Sequence, residues 1–340
     1  MGAPNPVTLE DLILLAHAHA PLASDAPSPA ALARTLERLC VRALPREHPE
    51  YPAGWRDLTD APPVCFARGA ATPRVAEAVA IVGSRAASGY GLAVARRLAE
   101  DLARAGITVV SGLARGIDGA AHEGALAAGG GTVAVLPSGI DTIEPVHHTA
   151  LALRIVARGS LVSERASGPA GQRWGFVRRN RLIAAMTAVT VVVEASRTSG
   201  ALHTARAAKR LGRVVMAVPG DVERETALGC VDLLRDGARP CVAAVDVLRA
   251  LAAGGAAPRP QGARRRVPRP GSAGIPSPAA PVEATPIRRV RAALGREPRD
   301  VEKVATAAGL PLAETLAHLL ALEWSGAARR VPGGRWCAGT

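Results

Sequence analysis

The sequence predicts a doubly wound α/β domain of Rossmann type, flanked by a small helical N-terminal region and a C-terminal winged-helix-like module. Three observations predict it. Residues 76–252 alternate short apolar runs with amphipathic stretches. Glycines fall where the helices should end. A Gly-, Pro-, Ala- and Ser-rich stretch, residues 253–284, sets residues 285–340 apart from the rest.

The elements follow in order. Residues 1–75 carry helical patterns around Leu9–Ala18 and Ala30–Leu44, and residues 47–69 then read as an extended connector. The apolar runs Val79–Val82, Ile107–Val110, Thr132–Leu136, Ser160–Val162, Thr190–Val193 and Arg213–Val218 are nearly continuous, as strands of a parallel sheet buried on both faces should be. Between them lie the amphipathic stretches Gly91–Ala105, Asp118–Ala128, His147–Ala157 and Ala201–Leu211, with Gly106, Gly129, Gly159 and Gly212 at their ends. Residues 253–284 contain Arg259, Arg264, Arg265, Arg266 and Arg269 and no apolar face, so a disordered basic linker is expected. Ile287–Leu294, Val301–Ala308 and Leu312–Leu322 give three helices, and a Gly-Gly turn before Trp336 closes a hairpin, the makings of a winged helix.

Composition narrows the function. A length of 340 residues suggests about two domains and a small third. The net charge of +13 favours an anionic partner such as nucleic acid or nucleotide. All but two of the 42 basic residues are arginines, and alanine is abundant, a bias that a GC-rich genome produces, so the charge is discounted in part. Four Trp, two Tyr and two Phe are too few for a sheet lined with stacking aromatics. Five widely spaced cysteines with no CxxC point to a reducing compartment without disulfides or zinc. With no signal-like N-terminus and no apolar run beyond Leu182–Val193, a soluble cytoplasmic protein without a membrane partner is expected.

Four loops carry candidate chemistry. Gly83-Ser84-Arg85 follows the first parallel strand and precedes a helix, offering free backbone N–H groups, a positive helix end and a guanidinium to an anion. Its spacing is not GxGxxG, so no dinucleotide cofactor is expected, and a plain strand-to-helix turn is the competing reading. The second loop runs Ser111–Asp118 with His122 a turn later; here Asp118 as helix N-cap and His122 as a packed histidine are favoured. The third, Arg173–Arg181, interleaves Trp174 and Phe176 with arginines, a pattern for stacking a base while cations hold phosphates. The fourth sets Ser199 and Gly200 at a helix start, either a third anion site or a plain cap. No catalytic constellation is evident, since HExxH, GxSxG and GxxxxGK[ST] are all missing.

Taken in order, VGSR…SGYG, VVSGLARGIDGAAH, TVAVLPSGID, GSLVSE, FVRRNRLIA, VVVEA…TSGALHTARAAKRLGR, AVPG and LLRDGA resemble the DNA-processing protein A (DprA/Smf) family over roughly residues 50–250. The resemblance implies a single-stranded DNA-binding recombination mediator, not an enzyme, that protects ssDNA and loads RecA in DNA uptake or recombination. It implies a homodimer formed through the Rossmann domains and no cofactor. It assigns Gly83, Ser84 and Arg85 to phosphate, Phe176 to a base, and Arg173 to a basic position of the pocket. Arg178, Asn180 and Arg181 match the RNR element, with a partly structural role. Two other functions are carried beside it: a nucleoside-monophosphate phosphoribohydrolase of the same Rossmann variant, and a winged-helix regulator of duplex DNA. The first lacks its PGGxGTxxE motif here, where SRTSGALHTA stands instead. The second would use Leu312–Glu323 as recognition helix, which has Glu314 and Glu323 but no Arg or Lys, so a protein-interaction or packing role is preferred.

Overall fold

The computed structural model describes residues 7–20, 27–70, 72–170, 173–254, 286–295, 297–324, 327–331 and 335–338, which fall into two compact units divided after Gly262. Residues 255–284 of the expected linker lie outside the described residues.

The first unit runs α1 (Leu9–His19), α2 (Pro29–Arg38), β1 (Arg42–Pro45), β2 (Val64–Gly69), β3 (Ala78–Val82), α3 (Gly89–Arg104), β4 (Thr108–Ser111), α4 (Ile117–Ala127), β5 (Thr132–Val135), α5 (Thr149–Arg158), β6 (Ser160–Ser163), α6 (Arg173–Ala185), β7 (Val189–Val192), α7 (Ala201–Arg210), β8 (Val214–Ala217), α8 (Glu225–Arg235), β9 (Arg239–Pro240) and α9 (Ala244–Ala252). Nine strands form one sheet in the order β1-β2-β6-β5-β4-β3-β7-β8-β9. From β6 to β9 every pairing is parallel; β2 joins β6, and β1 joins β2, antiparallel. The fold is therefore Rossmann-like, and the strand order reverses at β3, between β4 and β7, where such sheets open a ligand crevice at their carboxyl edge.

The sequence pattern explains the layers. All five residues of β3 are buried, and they alternate between two cores, because side chains of a strand point to opposite faces. Val79 and Ile81 pack with Val94, Leu98 and Leu102 of α3 and with Ile117 and Ala121 of α4. Ala78, Ala80 and Val82 pack on the other face with Leu182, Ile183 and Met186 and with Leu202 of α7. A third core joins Ile13, Leu32 and Leu36 to Phe66, Leu151 and Ile155, fastening α1 and α2 to the sheet over β2 and α5.

Three local expectations differ from the structure. The second N-terminal helix stops at Arg38, because the chain turns at Cys40, whose φ is 53°, and then enters β1. The stretch read as a connector supplies strands β1 and β2, and Trp55 within it is fully buried and donates its indole N–H to the Leu182 carbonyl at 3.1 Å. Gly106, Gly129 and Gly212 follow their helices with positive φ, but Gly159 does not. A Cβ at Gly159 would fall on the Thr132 carbonyl, so that position needs glycine for close approach to β5.

The second unit comprises α10 (Pro286–Ala293), α11 (Val301–Ala308), α12 (Leu312–Trp324) and the antiparallel hairpin of β10 (Ala328–Val331) and β11 (Arg335–Ala338). Val290, Val304, Leu319, Leu322 and the buried Trp336 form its core. Arg299 and Trp336 exchange backbone hydrogen bonds of 2.8 and 2.7 Å, tying the hairpin to the residue before the α11 cap. This is a winged helix.

Candidate functional site

Above the switch point lies a crevice of about 660 Å³. Gly83, Ser84 and Arg85 line it from the end of β3, Phe176, Arg179 and Asn180 from α6, and Ser199 and Gly200 from the start of α7. Stretches far apart in sequence thus meet at one sheet edge, and all four candidate loops contribute to it. The second loop contributes Ala114 and Asp118 to the wall.

The Gly83–Arg85 loop is held from below. Ser84 N–H donates to the Glu194 carbonyl at 2.7 Å, and the Ser84 carbonyl accepts from Ile117 N–H at 3.2 Å. A Cβ on Gly83 would come within 2.8 Å of the Glu194 carbonyl, so β7 and the loop close on each other only with glycine there. The Ser84 hydroxyl accepts from Ala86 N–H at 3.1 Å, which shapes the turn.

The α3 N-terminus is not an open anion site. The Glu194 carboxylate sits on it, accepting from Ser88 N–H at 3.2 Å on both oxygens and from the Ser88 hydroxyl at 2.6 Å. An anion in the crevice therefore meets the Arg85 side chain rather than the helix end. That guanidinium lies over the Phe176 ring, 4.2 Å from its centroid, a cation–π pair built from the two residues assigned to phosphate and base.

Arg179, which reaches the crevice wall, is otherwise buried. It donates to the carbonyls of Gly112, at 2.7 Å, and Val135, and to the Asn180 side-chain oxygen at 3.2 Å. Asn180 in turn donates to the Gly200 carbonyl at 3.0 Å, locking α6 to the start of α7. Burial lowers the Arg179 pKa to about 10 despite the nearby Asp118. Burial likewise raises that of Asp118, with Arg179 opposing. The Asp118 carboxylate accepts from Gly112 N–H at 3.1 Å; the N-cap of α4 is Gly116, so Asp118 fixes the preceding loop rather than capping the helix. His122 is a packed histidine, as favoured. Its Nδ1 lies 2.8 Å from the Thr132 hydroxyl, which itself donates to the Val109 carbonyl, so Nδ1 carries the proton. Burial, with His148 and Arg179 nearby, holds its pKa near 3.

The stretch Arg173–Arg181, which the sequence predicts as a loop, forms the first part of α6. Its helical periodicity was hidden because core-facing positions are filled by Arg179 and Asn180 instead of apolar residues. The structure does not bring Arg178 and Arg181 into the crevice. Arg181 binds Glu164 at 2.9 Å and Asp60 at 2.6 Å, and Arg178 lies 3.4 Å from Glu164 and donates to the His19 carbonyl. The side chains of Arg173 and Trp174 lie outside the described residues. Ser196, Thr198, His203 and Thr204, which belong to the same stretch after β7 as Ser199 and Gly200, also line the crevice.

Glu164 ties these elements together. Burial would raise its pKa, but His19, 3.4 Å away, and the Arg181 and Arg178 charges outweigh that and hold it at about 2. Because the folded value lies below the unfolded one, its stabilisation is complete above about pH 4.5 and is lost as the pH falls towards 2. A Glu164→Gln variant is expected to lose ~3 kcal/mol at pH 7 and much less at pH 3, measured by urea unfolding at both pH values.

The comparisons with known proteins agree on one family. The profile described as DNA recombination-mediator protein A matches residues 42–252, and that of the DprA winged helix domain matches residues 275–334. A protein named Smf from Escherichia coli K12 is 36% identical, over 88% of this chain and 78% of its own length. A DprA-type DNA processing protein of Mycobacterium tuberculosis is 43% identical over 76% of this chain, which spans 64% of that relative's length. The solved structure of DprA from Streptococcus pneumoniae matches with a TM-score of 0.59 at 29% identity, covering 72% of this chain and 93% of that one. DprA from Helicobacter pylori, whose structure is described for its single-stranded DNA binding mode, gives 0.56 at 27% identity, over 63% of this chain and 96% of that one.

Proposed function

Since the chain belongs to the DNA recombination-mediator protein A family, we propose that its crevice binds single-stranded DNA and that the protein, acting in the cytoplasm as a dimer joined through the Rossmann-like unit, loads RecA onto that strand in DNA uptake or recombination. The observation that carries this reading is Arg85 stacked on Phe176 at the topological switch point: one side chain for a phosphate and one ring for a base, on a floor fixed by Arg179 and Asn180. The Helicobacter pylori relative, described for its ssDNA binding, supports the same ligand. Gly83, Ser84, Ser199 and Gly200 shape the pocket, and Arg173 is assigned to it as a further cation; Arg178 and Arg181 serve by holding α6 against Glu164.

A binding role fits better than hydrolysis. The Glu194 carboxylate, the acid nearest in sequence to the α7 loop, is engaged by Ser88 rather than presented to the crevice. The winged-helix unit, whose α12 holds Glu314 and Glu323 and no Arg or Lys, serves protein contact rather than groove reading.

The test is a salt titration of ssDNA binding beside RecA filament assembly. With about 4–6 phosphates neutralised, log affinity is expected to fall with log salt at a slope of about −3 to −4, and the protein is expected to speed RecA assembly on ssDNA. Equal affinity for duplex and single strand, with no effect on RecA, would overturn the proposal.

A further inference from the structure

The crevice, at about 660 Å³, has room for a ligand of nucleotide size and not for a strand, so a bound strand must leave it across the surrounding surface. The geometry points to a second stacking platform at Tyr90, on the first turn of α3, where the strand emerging past Arg85 would lay its next bases. This inference rests on the ssDNA reading of the crevice.

Aromatic rings are scarce here, and nearly all those described are accounted for. Tyr51, Trp55, Phe66 and Trp336 are buried at 1% exposure or less. Phe176 lines the crevice, and Tyr90 is left 61% exposed. Tyr90 stands five residues after Arg85, at the second helical position after the Ser88 cap. No packing demand explains it: its neighbours Gly89, Leu92 and Ala93 are exposed too.

The Glu194 carboxylate lies beneath the start of α3, bound by Ser88 and close to Gly91, but the stretch of chain that carries Tyr90 is itself basic. From Arg85 to Arg97 the chain carries three arginines and no acid. Arg96 pairs with Glu123, whereas Arg85 and Arg97 form no ion pair among the described residues. Arg97 is two turns from Tyr90 on the same helix, and helical side chains lean back towards the N-terminus, so its guanidinium reaches the side on which Tyr90 stands. Arg115, exposed at the entrance to α4, adds a further cation beside the Arg85 loop, because Gly116 packs directly on the carbonyls of Ser84 and Arg85. An exposed ring flanked by arginines free of ion pairs among the described residues, on the chain segment that follows the crevice loop, is suited to stacking the bases of a sequence-tolerant single strand.

The experiment compares the full-length wild type, Tyr90→Ala, Tyr90→Phe, Arg85→Ala and Phe176→Ala on oligothymidines of about 4 and about 16 nucleotides, by fluorescence anisotropy. Tyr90→Ala is expected to weaken binding of the longer strand about 5- to 100-fold and leave the shorter one unchanged, while Tyr90→Phe binds as wild type. Thermal unfolding of Tyr90→Ala at the wild-type temperature confirms that an exposed ring, not the fold, was removed. Equal loss on both lengths would place Tyr90 inside the crevice and overturn the platform. No loss on either length, with Arg85→Ala and Phe176→Ala both weakened, would overturn the platform and keep the crevice. No loss in any variant would overturn the crevice reading itself.

Discussion

Replacing Phe176 by Ala is expected to cost about 1–3 kcal/mol of ssDNA affinity, and replacing Arg85 by Ala to remove one phosphate contact, making the salt slope shallower by about 0.7. The two losses should not add. Arg85 rests on the Phe176 ring, so either substitution also releases the other side chain from its position. In a double-mutant cycle the combined loss should fall short of the sum, by an amount within the range seen for side chains in contact, about 0.5–3 kcal/mol. Strict additivity, or a Phe176→Ala protein with wild-type affinity, would separate the two residues and remove the basis for a joint phosphate-and-base site.

The largest effect on stability is expected at Arg179. Replacing it with Met leaves the carbonyls of Gly112 and Val135 and the Asn180 side chain without their donor and leaves Asp118 buried without its countercharge. Removing one member of such a set costs about 3–5 kcal/mol. For a unit of this size that is a fall in Tm on the order of 10 °C. Arg179→Lys should recover little, because a single ammonium does not reproduce the fork that spans strand, loop and helix. Asp118→Asn introduced alongside Arg179→Met should restore part of the loss by removing the stranded charge. Calorimetry of the three variants checks the order.

Most of the parallel sheet was legible because buried strands are written as uninterrupted apolar runs. Val79–Val82 and Thr190–Val193 fall within one residue of β3 and β7. What escaped was structure held by polar groups. The first half of α6 hides its inward face behind Arg179 and Asn180, which satisfy backbone carbonyls instead of filling an oily layer, and no periodicity count sees that. β1 and β2 escaped because prolines and a left-handed Cys40 surround them, and such punctuation reads as loop until long-range pairing overrides it. Within the site, Gly83, Arg85 and Phe176 were visible from loop position and residue chemistry. The ion-pair roles of Arg178 and Arg181 depend on Glu164 and Asp60, distant in sequence, and could not be read from the arginine cluster alone.

The contact of Arg85 with Phe176 also sets how the free protein waits for its ligand. A loose arginine must surrender up to about 2 kcal/mol of rotamer freedom when it grips a phosphate. Here much of that freedom has already been given up on folding, since the guanidinium is parked on the ring. Capture of a strand then requires little rearrangement, and the encounter should proceed at a rate set by diffusion and by the field of the surrounding arginines.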